Sequence, residues 1–480
     1  MFSDFKNDKN YVKFFEDTIK DFGGVGRGEK KKYVMRNNTT PFPDKGAYFG
    51  CIAEGEDTTG AYSDLSIVVF PSNERESAQD RWLIALGVGS LGFKNDYDLV
   101  TLPGTRRLFR KYLKENFFVK NDFQDIESSD GFNGFCSEIP ETLENAVTSY
   151  GNVLLTCSLF NPNNKEESEK LIKTYLAIYA TLRHWPSNGN HRREVNAALV
   201  QQSEVKDDEE NVRNLLLKRK YVVLQGAPGT GKTRLAKRIP GRNDIVLFTQ
   251  FHAETSYSDF VYGIVPKVDS TVLGYSLHEG VFVQAIREAL KTENAEKKVF
   301  LIIDEINRAN LSNVLGPCFY LFEPIMSGQN VKIELCPKHG DNEALELDKL
   351  PDNFFVIATM NTADRSLAVV DFALRRRFAW YTLLPHAIDE VPGAGLKFHE
   401  PEFNVISDIF ERYAKDEELS LQPGHAYFIT LDSDPESIKD RLRYEVMPLI
   451  KEYLMDGMLP RAKDDFIRFF REYANVEMFN

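Results

Sequence analysis

No CxxC pair and no cysteine/histidine cluster stands out among the five cysteines of this 480-residue chain, Cys51, Cys136, Cys157, Cys318 and Cys336. Scattered in this way they argue against a disulfide framework or a zinc site, which leaves packed free thiols as the expectation. Long apolar runs are lacking too, since no stretch approaches the roughly 20 residues that a membrane-spanning helix needs. The opening MFSDFKNDKN lacks the basic-then-apolar order of a secretory leader, so a cytoplasmic protein with no membrane contact is expected. Internal repeats and low-complexity tracts are absent. Positive charge is in deficit: 59 basic against 72 acidic side chains give a formal net charge of −13. Residues 1–200 hold 28 acidic and 25 basic side chains, a balance of −3, so −10 falls on the remainder. Such a total does not exclude nucleic acid, because contact depends on where charges collect.

What is present fits a folded protein of two or three domains, with 42% hydrophobic and 27% charged residues. We place a boundary near residue 205, inside QQSEVKDDEENVRNLLLKRK. Upstream, AYFGCIAEG, LSIVVFP and RWLIALGVGSLGF read as strands separated by turn residues. TRRLFRKYLKENFF (105–118) reads as a basic amphipathic helix that either lies on phosphate or packs one face on the protein. KEESEKLIKTYLAIYATLRH (165–184) reads as a stalk or linker helix. The region 1–205 is therefore expected to be a mixed α+β domain.

Beyond it, KYVVLQ, DIVLFTQF, KKVFLIID, FFVIATMN and FAWYTLL alternate with amphipathic segments. That order predicts an α/β core over 206–394, a parallel sheet with helices on both faces. After residue 395 only helices are expected, FNVISDIFERYAK, ESIKDRLRYEVMPLIKEYLMD and AKDDFIRFFREYAN, forming a helical lid over 395–480.

The strand KYVVLQ runs into GAPGTGKT (226–233) and then a helix, the setting that gives the G-x-x-x-x-G-K-[ST] pattern its meaning. Gly226, Gly229 and Gly231, with Pro228 and Thr230 between them, let the backbone curl so that N–H groups point at phosphate. Lys232 would reach the β and γ oxygens, and Thr233 would offer its hydroxyl to Mg²⁺. Asp304 and Glu305 end a second strand at the carboxyl edge where open α/β sheets bind ligands. Asp304 fits the Walker B role of holding Mg²⁺, largely through water, and Glu305 that of the base polarising the attacking water. Asn307 either aims an amide at that water or caps the helix ANLSNVLGPCFYLF. Asn361 ends the next strand and fits a sensor position. Arg375, Arg376 and Arg377 follow the short helix LAVVDFAL; cations favour a helix C-terminus, but that alone explains one or two of them. A guanidinium lent to a neighbouring subunit's phosphate can be worth about 10³ to 10⁵ in rate.

The segments QFHAETSYSDFVYGIVP, LIIDEINRANLSNVLG, MNTADRSLAVVDFALRRRF and GHAYF (424–428) resemble the motifs of the McrB family of AAA+ GTPases over residues 215–460. The resemblance implies a P-loop NTPase that uses GTP and Mg²⁺ and forms a hexameric ring. It also implies recruitment of an McrC-type nuclease, translocation of DNA, and an N-terminal domain that chooses the DNA, in restriction of foreign or modified DNA. It places Asp364 and Arg365 in the sensor motif and makes Arg376 or Arg377 the trans finger. His425 either senses nucleotide from the lid or packs between helices. No PD-(D/E)xK core or other hydrolytic centre for nucleic acid is found in the chain. An ATP-driven, MoxR-like remodeller of protein complexes is the alternative, and a nucleotide-gated scaffold with little turnover a third reading.

Overall fold

The computed structural model describes residues 10–23, 33–38, 48–55, 63–72, 81–89, 94–113, 116–120, 135, 139–140, 143, 150, 153–183, 185, 189–200, 207–267, 274–323, 332–340, 342–363, 372–388, 391, 393–434 and 436–479. The chain divides into two compact units, residues 1–205 and 206–480. Among the described residues no helix is long and apolar enough to cross a membrane.

The first unit is built on an antiparallel sheet of β1 (Tyr33–Asn38), β2 (Tyr48–Ala53), β3 (Leu65–Phe70), β4 (Trp82–Val88), β5 (Phe117–Val119) and β6 (Leu154–Phe160), ordered β1-β2-β3-β4-β6-β5. Apolar residues from both faces of the sheet are buried. Phe49, Ile67 and Ile84 pack with the helices Asn10–Gly23 and Lys165–Leu182, while Phe70, Leu83 and Phe118 pack on the opposite side. Two expectations change here. Lys165–Leu182 is an interior element rather than a linker: Ile172, Tyr175, Leu176 and Tyr179 are buried, and Tyr179 donates its hydroxyl to the Leu65 carbonyl at 2.9 Å. The basic helix stops at Tyr112 rather than running to 118. It buries Thr105 and Phe109 and exposes Arg110 and Lys111, and Asn116 at φ 49° turns the chain into β5.

The second unit holds a five-stranded parallel sheet: β7 (Tyr221–Gly226), β8 (Ile245–Gln250), β11 (Val299–Asp304), β14 (Phe354–Asn361) and β15 (Ala379–Thr382). Its order is β15-β7-β14-β11-β8. The central strands β7, β14 and β11 read as apolar runs because both of their faces are covered, whereas at the edge β8 leaves Val246 and Phe248 exposed. Leu301, Ile303, Val356 and Ala358 face one layer, while Val222, Leu224, Phe300, Ile302 and Ile357 face the other. Two hairpins branch from the sheet, β9 (Tyr262–Lys267) with β10 (Gly274–Glu279), and β12 (Ile333–Cys336) with β13 (Leu345–Leu347).

The lid is not helical alone. β16 (Leu396–Phe398) pairs antiparallel with β17 (Ile429–Leu431) beside the helices Glu400–Tyr413, Ser437–Arg441, Met447–Met455 and Lys463–Ala474. These enclose a separate core that includes Phe403, Phe410, Leu442, Ile450, Phe466 and Phe470.

Candidate functional site

Register places the chemistry. In the sheet β14 lies between β7 and β11, so Asn361 pairs with Gly226 on one side and Ala358 with Ile303 on the other. The carboxyl ends of three adjacent strands thus bring the glycine loop, the two acids and the asparagine to one edge. Gly229 at φ 78° and Gly231 at φ 81° occupy the left-handed region that lets the loop after β7 curl. Thr230 is buried and ties the loop by donating its hydroxyl to the Ala227 carbonyl at 3.0 Å.

Lys232 opens the helix Lys232–Arg238 and is buried, its Nζ donating to the carbonyls of Gly226 at 3.0 Å and Ala227 at 2.7 Å. Burial pushes the ammonium down to about 8, against the pull of Glu305 and Asp304. The Thr233 hydroxyl donates to Asp304 Oδ1 at 2.7 Å. A hydroxyl and a carboxylate are hard oxygen donors of the kind Mg²⁺ takes, so these two side chains fit that ion.

Glu305 sits at φ 55°, ψ 48°, a left-handed conformation that costs a non-glycine residue about 1 kcal/mol or more. The conformation turns its carboxylate back toward β14, where Oε1 accepts from Asn361 Nδ2. Its Oε2 is buried without a hydrogen bond, with Arg308 Nε at 3.5 Å. Asn307 is no helix cap, because Asn310 fills that position by accepting from the Asn313 N–H. Instead Asn307 lies in the turn Ile306–Arg308 and donates from Nδ2 to the Asn361 carbonyl at 3.3 Å. Asp364 and Arg365 lie outside the described residues.

The three arginines do not follow a helix; they form the last turn of one, Phe372–Arg377. Their surroundings differ. Arg377 is buried, its guanidinium 3.9 Å from the Phe319 ring centroid and paired with Glu323 Oε1. Arg376 is 67% exposed and reaches the same carboxylate oxygen at 2.5 Å. Arg375 is exposed beside the Trp380 ring, 5.5 Å from its centroid.

The lid meets the glycine loop directly. Gly424 N–H donates to the Pro228 carbonyl and Ala426 N–H to the Gly229 carbonyl, both at 3.0 Å. A Cβ on Gly424 would stand 2.0 Å from the Gly229 carbonyl carbon, so only glycine fits that approach. His425 is buried against Gly231, and burial, reinforced by His386 and Arg234, lowers its imidazole to about 4. It is therefore neutral at pH 7 and packed against the glycine loop.

Two groupings were missed in the sequence. Thr359, a buried hydroxyl inside β14, donates to Asp304 Oδ1 at 2.6 Å and accepts from the Glu305 N–H at 3.1 Å. Its only signal is one polar residue in an apolar run. Cys336 and His339 do form a cysteine/histidine grouping after all, with Sγ 3.7 Å from Nδ1 and Glu279 Oε1 3.7 Å from the sulfur. Arg287 Nε holds both Glu279 oxygens, at 2.9 and 3.1 Å, so the carboxylate already has a cation and the grouping works as a hydrogen-bonded latch between β10 and β12. The four described cysteines are all buried free thiols.

Residues 221–378 match the model of the AAA domain (dynein-related subfamily). The EcoKMcrB subunit of the type IV methyl-directed restriction enzyme of Escherichia coli (strain K12) is 34% identical over 279 residues, covering 53% of this chain and 58% of that one. The second unit contains an AAA domain and is similar in sequence to that McrB subunit. Component YdiS of the type II restriction enzyme BsuMI of Bacillus subtilis (strain 168) is 30% identical over 194 residues, covering 33% of this chain and 55% of that one. The chain thus matches a little over half the length of each of these relatives.

If Lys232 meets the phosphates, its lowered value makes nucleotide capture depend on pH. Phosphate beside it would keep the ammonium charged, whereas in the free protein burial brings the side chain down to about 8. Apparent nucleotide affinity should be level below pH 8 and fall by up to roughly tenfold per pH unit above it. Titration of a fluorescent nucleotide from about pH 7 to pH 9.5 measures this. Affinity that stayed level over that range would show that the lysine's charge does not govern capture.

Proposed function

We propose that this protein hydrolyses GTP in a hexameric ring and uses the energy to move DNA for a separate McrC-type nuclease, restricting foreign or modified DNA. The observation that carries the reading is the assembled edge of the sheet: Thr233 on Asp304, and Glu305 held by Asn361, one residue after the Asp304 carboxylate. The two relatives are both named as parts of restriction enzymes, which favours this reading over a MoxR-like remodeller. Within it, Lys232 and the loop N–H groups bind the phosphates, and Thr233 and Asp304 hold Mg²⁺, directly or through water. Magnesium, when bound by these two side chains, would supply a Lewis acid that draws charge from the phosphate oxygens. Glu305 accepts a proton from the attacking water while Asn361, backed by Asn307, fixes where that water sits. Asp364 and Arg365 belong to the same sensor motif. Residues 1–205 choose the DNA, with Arg110 and Lys111 on an exposed helix face as candidate phosphate contacts.

A hydrolysis panel on the purified chain tests this, with GTP and ATP, each with and without the nuclease subunit and DNA. GTP turnover stimulated by the partner is expected. ATP turnover indifferent to both additions would favour the remodeller. DNA binding by the full chain should weaken steeply with salt, as phosphate contacts require; a flat response would point to a protein ligand instead.

A further inference from the structure

We infer that Thr359 is the positioning residue for both Walker B acids, setting the Asp304 side chain and the Glu305 backbone through one hydroxyl. β14 alternates faces: Val356 and Ala358 pack into one core layer, Phe355 and Ile357 into the other. Thr359 continues the second series, on the layer that also contains Leu235, Ala236 and Ile239 of the helix after the glycine loop. At 1% exposure its hydroxyl must find protein partners, and it finds both on the neighbouring strand end. It donates to Asp304 Oδ1 at 2.6 Å and accepts from the Glu305 N–H at 3.1 Å.

The consequences differ for the two acids. Asp304 Oδ1 receives two hydroxyls, from Thr233 and Thr359, which fixes the carboxylate rotamer and leaves Oδ2 for the metal's shell. Glu305 departs from the strand in the left-handed region, where the backbone needs something to hold it. The bond from its N–H to Thr359 anchors that departure, and Asn361, two residues further along β14, then receives the carboxylate. A single strand therefore fixes the Glu305 backbone at one point and its side chain at another. Thr359 touches neither nucleotide nor water in this scheme; it acts through the acids.

The test compares Thr359→Val, Thr359→Ala and Thr359→Ser. Valine keeps the volume and loses the hydroxyl, serine keeps the hydroxyl and loses the methyl, and alanine loses both. If positioning by the hydroxyl governs, kcat falls about tenfold to a hundredfold in the valine and alanine variants and stays within roughly threefold in serine. KM for the nucleotide should change little. Two readouts apart from turnover should follow the same ranking. Exchange of the Glu305 amide, followed by mass spectrometry on the peptide that contains it, should speed up with valine and alanine but not with serine. The Mg²⁺ concentration that half-tightens binding of a fluorescent nucleotide should rise in the same two. A ranking by volume, with valine nearest wild type, would overturn the inference. Should the valine variant fail to fold, alanine against serine still isolates the hydroxyl, and equal behaviour of that pair would overturn it as well. The inference rests on the roles given above to Asp304 and Glu305. Full turnover by Glu305→Gln would sink those roles, whereas an inactive Glu305→Gln beside fully active Thr359 variants would sink the inference about Thr359 alone.

Discussion

Glu305→Gln is expected to bind nucleotide as wild type does and to lose turnover by about 10² to 10⁴-fold, the usual contribution of a positioned general base. The substitution keeps the side chain's length and shape. Gln Oε1 can still accept from Asn361 Nδ2, so the bond that orients the carboxylate survives. What disappears is the second oxygen, the buried Oε2 that carries no hydrogen bond and is the one available to take a proton. Because Lys232, Thr233 and Asp304 are untouched, phosphate and metal affinity should persist, and the variant should accumulate in the nucleotide-bound state. Rapid-quench hydrolysis alongside equilibrium binding separates the two effects. Wild-type turnover in the glutamine variant would remove Glu305 from the base role. Weakened binding with unchanged kcat would instead make it part of the phosphate cradle.

Much of this site was legible in the sequence because its parts lie where strands end. KYVVLQ, KKVFLIID and FFVIATMN each contain a mainly apolar run, since these central strands are covered on both faces, and the parallel register brings the polar ends of those runs to one edge of the sheet. Features fixed by distant partners were not legible. Glu323 lies 53 and 54 residues from the two arginines it binds, and Glu279 lies 57 from Cys336. Thr359 matters only because β11 is its neighbour. In the first unit, LLTCSLF forms a strand with all seven residues buried, but the Thr-Cys-Ser at its centre blurs the apolar run in the sequence. The Lys165–Leu182 helix resembled a connector because its first turn is charged. Its tyrosines, polar in the sequence, satisfy their hydroxyls inside the core, as Tyr175 does with Ser158 Oγ at 2.9 Å.

Arg376→Ala is expected to reduce turnover of the assembled protein by about 10³ to 10⁵-fold, with nucleotide binding by dilute protein unchanged. Arg377→Ala should act first on stability. Arg377 is buried on the Phe319 ring, so its loss removes packing and a charge-assisted hydrogen bond, about 1–3 kcal/mol together. Arg376 is two-thirds exposed, and an exposed pair of this kind contributes roughly 0–1 kcal/mol. Both guanidiniums contact the same oxygen of Glu323, an arrangement in which like charges crowd one acceptor. Arg376 can therefore leave for a neighbour's phosphate while Arg377 keeps Glu323 paired, and no uncompensated charge remains behind. Mixing two inactive variants tests lending across subunits directly. Glu305→Gln supplies the arginine without the base, and Arg376→Ala supplies the base without the arginine. Random assembly at equal amounts restores a complete site at roughly a quarter of the interfaces, so activity should reappear on mixing. If the mixture stays as inactive as its components, or if wild-type turnover per chain is constant on dilution below assembly, Arg376 acts within its own subunit or not at all.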